Sequence, residues 1–309
     1  MANEVSNAYL VTNGGRVAEV LSAMLLENIY DASDLRGLMQ YVAWAAMGGS
    51  ANAVPIDGAP VAASAATSEL VGGQSNTAFG SSEVALTPAR YVLQYSLTDL
   101  MGVTGPDQAI NAAHVVSKLG ESIGLTVTDM LAALFPSLSG TVGSTGVDLS
   151  VDNIYAAQFA LNIANAGGRK VCVLHPQQVN DFQTSLRSEV GASQFQLATA
   201  EMLAARGPGF RGVWNGIEFW QSDSVNTANA GADYCGAMFD TRAFAYTLAP
   251  VAPLVGLHIN PADVLLDAGV ALVERSRDAT NGQTAAILNL YPAVGEAIDG
   301  AGIGIVTDA

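Results

Sequence analysis

Residues 167–186 read GGRKVCVLHPQQVNDFQTSL, one compact strand–turn–helix unit. Val171, Cys172, Val173 and Leu174 form an unbroken apolar run, the pattern of a strand buried on both faces. His175-Pro176 ends the run, because proline lacks the N–H that a ladder needs and fixes its own φ. From Gln177 to Arg187 the spacing turns helical, with Val179, Phe182 and Leu186 on one face at steps of three and four. A central strand that feeds a helix belongs in the middle of a domain, so the flanking chain decides what is built around it.

Toward the C-terminus, Gly191 to Phe210 reads as a loop with a short helix at Thr199 to Arg206. Gly212 to Ser222 is a tight hairpin turning at Asn215-Gly216. Tyr234 to Phe239 is a second buried strand, and Asp240 to Leu248 a turn with a further short element. Asp263 to Arg277 and Ala285 to Tyr291 have the spacing of long strands around a turn at Thr280-Asn281-Gly282, and Ile303 to Val306 is expected to pair with them as an edge strand.

Toward the N-terminus, a helix from about Ser150 to Ala166 is closed by Gly167-Gly168, and a Gly/Ser/Thr linker, Ser137 to Gly146, precedes it. Gly105-Pro106-Asp107 opens the longest helical pattern, with Ile110, Ala113, Val116, Leu119, Ile123, Val127, Met130 and Leu134 recurring until Phe135-Pro136. About 30 residues at the helical rise make a rod of roughly 45 Å, with Gly120, Gly124 and Thr126-Val127-Thr128 as its weak points. Glu83 to Thr98 is β-rich and reads as one strand returning from Gly48 to Ser82, a stretch of small and polar residues with two acids and no base. Gly15 to Glu27 and Ser33 to Met47 have helical spacing.

The chain has 309 residues, of which 50% are apolar and 13% charged, against about 25% charged in an ordinary soluble domain. Such a chain is expected to hide surface against copies of itself. No apolar run reaches the roughly 18 residues that span a bilayer, and Met1 to Tyr9 has no signal-peptide pattern. With 28 acids against 12 bases, a net charge of −16 argues against sequence-specific nucleic-acid binding, which needs cations to neutralise phosphates. Cys172 and Cys235 sit in apolar strand-like runs, where buried free thiols are expected rather than a disulfide. His114, His175 and His258 make no metal-ligand spacing.

Three local patterns invite chemistry. Gly207-Pro208-Gly209-Phe210-Arg211-Gly212 has the spacing of a dinucleotide loop, but it follows a helix and enters a hairpin, the reverse of the context that holds a pyrophosphate. Cys172 and His175 lie three apart, yet a cysteine among valines lacks the exposure and electropositive surround of a nucleophile. Asp278-Ala279-Thr280-Asn281-Gly282 begins like a calcium loop without the acid that closes one, so a β-turn is expected. No catalytic, cofactor-binding or metal-binding residue is assigned.

The order of parts resembles the major capsid protein of tailed bacteriophages, with the Hong Kong 97-type fold. Ala65 to Gly72, AATSELVG, with Glu83 to Met101, EVALTPARYVLQYSLTDLM, is similar to that family's extended loop and return strand. Lys170 to Phe182, KVCVLHPQQVNDF, resembles the strand–His-Pro–helix of its axial domain. Gly212 to Phe239, with Gln221-Ser222-Asp223 and Tyr234-Cys235-Gly236-Ala237-Met238-Phe239, is similar to that domain's hairpin and central strand. The likeness runs from about residue 30 to the end.

The resemblance implies an α+β fold with an N-terminal arm at 1–47, an extended loop and return strand at 48–98, a peripheral domain at 99–149 and 250–309, and an axial domain at 150–249. It implies a structural protein rather than an enzyme, one that forms pentamers and hexamers of itself in an icosahedral shell around double-stranded DNA, in the virion after assembly in the host cytoplasm. The further partners it implies are a portal and scaffolding or decoration proteins, with packaged DNA touched only non-specifically and no membrane. Some members cross-link through a lysine in the extended loop; here no lysine lies between residues 1 and 117, so no such bond is expected. The absence of a long charged segment before the arm implies that a fused scaffolding domain is absent or removed. An encapsulin-like nanocompartment shell is the alternative in the same fold. An α/β enzyme, with a polar pocket near His175, is the alternative in another class.

Overall fold

The structure is a computed structural model that describes residues 35–44, 51–57, 81–98, 122–164, 166–188, 195–207, 209–251, 264–267 and 269–308. Its centre is a sheet of eight strands. Along it run β5 (Gly140–Gly143), β17 (Gly302–Asp308), β11 (Asp233–Asp240), β6 (Lys170–Leu174), β9 (Ile217–Gln221), β8 (Phe210–Trp214) and β7 (Gln196–Leu197), with β10 (Thr227–Ala228) paired to β11. The apolar run Val171–Leu174 lies in β6, antiparallel to β11 and parallel to β9. Neighbours on both sides and cover on both faces leave Val171, Cys172, Val173 and Leu174 fully buried, which is why the sequence shows no polar alternation there. The β8–β9 hairpin turns at Asn215-Gly216, both with positive φ (48° and 76°), the two-residue turn whose twist matches the strands.

Helix α1 is described over 122–132 and runs into a 3-10 turn at Phe135–Ser137. It buries Ile123, Val127, Leu131 and Ala132. Phe135 then packs 6.0 Å from the Phe239 ring and 6.1 Å from Phe244. Helix α2 (Val151–Ile163) starts where the Ser150 hydroxyl accepts the Asn153 N–H. Helix α3 (Pro176–Ser188) presses Val179, Phe182 and Leu186 inward, with Phe182 stacked on Phe219 at 4.9 Å. Helix α4 (Ala200–Arg206) is capped by Thr199 and ends at Gly207, φ +95°.

Three smaller sheets lie outside this centre. One orders β1 (Gln40–Tyr41), β12 (Phe244–Leu248) and β16 (Pro292–Glu296). The second orders β13 (Val264–Asp267), β14 (Ala271–Asp278), β15 (Gln283–Leu290) and β4 (Tyr91–Thr98). The third is the hairpin β2 (Asn52–Asp57) with β3 (Ser81–Leu86).

Several expectations need correction. Ile303 to Val306 does not pair with the long strands as an edge: β17 lies inside the central sheet, antiparallel to β11 and parallel to β5. Its parallel partner β5 forms within the stretch read as a linker, because the exposed edge of β17 offers hydrogen bonds that a Gly/Ser/Thr segment can take without steric cost. Glu83 to Thr98 is two strands; Pro88 has no N–H for a ladder, and β3 and β4 join different sheets. Asp263 to Arg277 is likewise two strands, β13 and β14, which fold back near Gly269 at φ +79°. In the 33–47 stretch the described residues form a 3-10 turn at Arg36–Leu38 and then β1. Leu35 and Leu38, three apart, share one buried face in that turn, and pairing with β12 overrides helical spacing beyond it. The helix at 15–27, the part of the long helix before 122, and the middle of the loop, 58–80, lie outside the described residues.

Candidate assembly surfaces

The strand–His-Pro–helix junction is a capping device. The His175 Nδ1 accepts the Gln177 N–H at 3.2 Å, and the Gln178 Oε1 accepts the His175 N–H at 3.1 Å. Pro176 occupies the first helical position, where a missing N–H is no loss. This is a capping box with imidazole in place of the usual hydroxyl. Gln178 is wholly buried, and its Nε2 donates to the Tyr234 carbonyl at 3.1 Å, the Ile305 carbonyl at 3.2 Å and the Thr307 hydroxyl at 2.8 Å. One side chain therefore ties α3 to β11, to β17 and to the turn that follows β6. Gly236 leaves the space: a Cβ there would stand 2.7 Å from the Val173 carbonyl oxygen and 2.8 Å from the Gln178 Oε1.

The same contacts answer the nucleophile question. Cys172 is fully buried, and burial pushes its thiol far above the usual range; burial pushes Cys235 up to about 11. Neither is a thiolate at neutral pH. The His175 ring is stacked on Tyr234 at 3.6 Å, and its Nδ1 is engaged in the cap. Burial lowers the His175 pKa, opposed in part by the charge of Asp223. The structure does not pair Cys172 with His175.

The glycine loop follows α4 and leads into β8, the reverse of the strand-to-helix order that a dinucleotide loop needs. The Asp278 carboxylate is occupied within its own turn, accepting from the Asn281 side chain at 2.7 Å and the Thr280 N–H at 2.9 Å. These bonds, the Asn281 side chain first, hold its pKa below the usual carboxylate range. Among the described residues no cluster of His, Cys, Asp or Glu could hold a metal ion, and no helix is long and apolar enough to cross a membrane.

Polar contacts elsewhere fasten the frame. Burial alone would raise the Asp240 pKa, but hydrogen bonds from the Arg242 side chain and N–H and from the Gly168 N–H hold it below the usual range. Glu218 bridges Arg169 and Arg206, the latter at 2.7 Å. Arg90, just before β4, donates twice to the Asn289 Oδ1, and Asn289 donates to Glu274 at 2.8 Å, so β4 is pinned across β15 to β14.

Two surfaces stand out against this frame. The hairpin β2–β3 has a small core of its own at its root, where Val54 and Leu86 pack with Ala245, Ala293 and Ala297. Gly295 in β16 permits the approach, since a Cβ there would meet the Leu86 methyl at 2.7 Å. The Asn52 side chain holds the hairpin base to the Ala43 carbonyl at 3.1 Å. The second surface is the outer side of α2, where Tyr155 is 47% exposed and Phe159 and Ile163 are each 66% exposed.

No family model and no curated protein matches the chain. Solved structures do. The head structure of Helicobacter pylori bacteriophage KHP40 superposes with a TM-score of 0.62 at 10% identity, covering 90% of this chain and 91% of that one. The capsid of Ralstonia phage GP4 gives 0.60 at 12% identity, covering 88% and 87%. The fold is the Hong Kong 97-type capsid fold. The SrpI encapsulin of Synechococcus elongatus matches it as well, with a TM-score of 0.57 at 11% identity over 89% of this chain and 86% of that one. Within the Hong Kong 97-type fold, the sequence pointed to β6, α3 and the β8–β9 hairpin correctly. It did not point to Gln178 or the α2 face. The signals for these were present: a glutamine three residues after a capping residue, and a helix with apolar residues on every side.

Proposed function

We propose that this chain is the subunit of a phage capsid, self-assembling through pentameric and hexameric capsomers into an icosahedral shell that encloses double-stranded DNA. The carrying observation is that the fold match spans about nine-tenths of this chain and of the capsid chains it superposes on. The chain also has a hairpin rooted outside the main core, which has little reason to exist in a monomer. Buried thiols and a histidine occupied in a cap support a structural rather than a catalytic role.

In this reading residues 150–249 form the axial lobe, to which β5 and β17 add strands. Residues 99–149 and 250–309 supply the rest of the peripheral lobe, residues 48–98 the extended loop and return strand, and 1–47 the arm. The shell is held by many modest apolar and strand-pairing contacts multiplied by symmetry. A portal and scaffolding or decoration proteins complete the virion, and the acidic wall touches DNA only non-specifically. The test is expression followed by size-exclusion chromatography and negative-stain microscopy. Megadalton icosahedral particles are expected; a small monomer under every salt and crowding condition, with or without co-expressed scaffold, would sink the proposal. Particles boiled in SDS should run as single chains, since the loop stretch has no lysine; a covalent ladder would refute that.

The encapsulin match supports a second reading, a compartment that encloses protein cargo. Particles from the native source that hold a folded enzyme and no DNA would favour it.

A further inference from the structure

Helices α2 and α3 both have 13 residues and both pack on the central sheet, yet their outer sides differ. α3 exposes Gln177, Asn180, Thr184, Arg187 and Ser188, as a helix facing water should. α2 exposes Tyr155, Ala156, Phe159 and Ile163 with only Asp152 and Asn162 as exposed polar neighbours, and Asp152 is its single charged residue. Its inner side is buried through Val151, Ile154, Ala157 and Leu161, and Tyr155 leans edge-on against Trp214 at 5.0 Å, so among the described residues Phe159 and Ile163 are the part of the stripe surplus to this chain's own core. A contiguous stripe of this kind is a contact surface.

Charge indicates what covers it. Residues 150–249 hold 8 acids and 6 bases, a net of −2, whereas residues 1–149 hold 13 and 4 and residues 250–309 hold 7 and 2. The remaining −14 of the total −16 therefore lies outside this stretch. Two copies of so acidic a chain repel one another almost everywhere else, and this is the region where they approach at least electrostatic cost. The helix itself carries no cation for a nucleic acid or an anionic lipid headgroup, and the one lysine at its border, Lys170, is engaged with Asn162. A ring of copies also needs two different patches rather than one self-complementary patch. The sheet supplies a second patch: Leu197, 69% exposed, and Met202, 37% exposed, at β7 and α4. These lie at the far end of the strand order from β5 and β17, toward which the C-terminal half of α2 is placed, while Tyr155 and Gln158 touch the β8–β9 hairpin.

We infer that the Tyr155–Phe159–Ile163 face of α2 is covered by a neighbouring copy of this chain in a head-to-tail contact. The inference rests on the shell proposal and names one of its contact surfaces. Two measurements test it. Phe159→Asp with Ile163→Asp is compared with Thr184→Asp, which adds charge to the outer side of α3. By sedimentation velocity the assembled fraction should fall at least tenfold for the first and stay unchanged for the second, with circular dichroism reporting the fold of the free subunit.

Because the double variant could lose its fold, p-benzoylphenylalanine is also placed at position 159 of the full chain, in a mixture of isotopically heavy and light subunits. Irradiation should give heavy–light adducts that map outside 151–163 of the second copy. Adducts within that helix would overturn the head-to-tail arrangement, and adducts only within one chain or to a host protein would overturn the second copy as occupant. Wild-type particles with an unaffected double variant and no heavy–light adducts would sink this inference and leave the shell standing. A wild-type chain that stays monomeric and gives no adducts would sink both.

Discussion

The central sheet and the β2–β3 hairpin are built by opposite strategies. The sheet is fastened by interlocking groups: stacked Phe182 and Phe219, a glutamine bonded to two strands and the turn before α3, and Asp240 gripped by Arg242 and Gly168. The hairpin root has five buried residues, three of them alanines, with Val42 and Val84 alongside. Small side chains in a satellite core give little free energy and few directional constraints. One region is made to keep its shape, and the other is held by a small cluster at its base. The proposed shell subunit would need both.

The largest break in this contrast should come from Phe182→Ala. The side chain is 1% exposed, stacks on Phe219 and meets Trp214 at 5.6 Å. Its removal should cost the unassembled subunit about 4 kcal/mol in urea unfolding. A loss below about 1 kcal/mol would mean that the sheet is not the rigid element described here.

Gln178→Ala comes next. It strips a donor from Tyr234, Ile305 and Thr307 and an acceptor from the His175 N–H, all in buried or part-buried surroundings. About 2–3 kcal/mol should be lost. Hydrogen exchange should quicken in β11 and β17 together rather than at the helix start alone. Exchange changes confined to 175–179 would show that the glutamine only caps.

That residue also marks where the sequence stopped being legible. Apolar runs and turn chemistry are local, so β6, the α3 face and the Asn215-Gly216 turn could be read directly. Gln178 looked like one more polar residue on an amphipathic helix. Its burial depends on a glycine 58 positions later and on a strand at the C-terminal end, neither visible in its own neighbourhood. The misplacement of Ile303–Val306 has the same origin: a short apolar strand carries no address, and its partners β11 and β5 are chosen by tertiary packing. The α2 face was readable as apolar on all sides, but only the structure separates the side that meets the sheet from the side left over.

Leu86→Ala sharpens the comparison from the other region. Leu86 is 2% exposed and is the largest side chain of the hairpin root. Local opening should become easier by about 2 kcal/mol, read as faster exchange of the amides that pair Asn52 with Leu86 and Val54 with Val84. The urea midpoint of the main transition should stay within error, because the central sheet does not depend on this cluster. A fall matching that of Phe182→Ala would erase the distinction between the two regions.

The smallest effect belongs to pH and to the cap. The His175 pKa is lowered from 6.5 mainly by burial, so between that lowered value and 6.5 the unfolded chain binds more protons than the folded one. Stability from this group is therefore present above pH 6.5 and is lost as the pH falls through that window. Burial of the ring is the cause, and a protonated Nδ1 in addition can no longer accept the Gln177 N–H. His175→Asn keeps a side-chain acceptor at the capping position but cannot titrate. Between pH 7.5 and 5.5 the wild type should lose more stability than the variant, and the difference should vanish at the upper end. If both fall in parallel, the titration belongs to other groups, and the imidazole contributes shape to the junction without making it pH-sensitive.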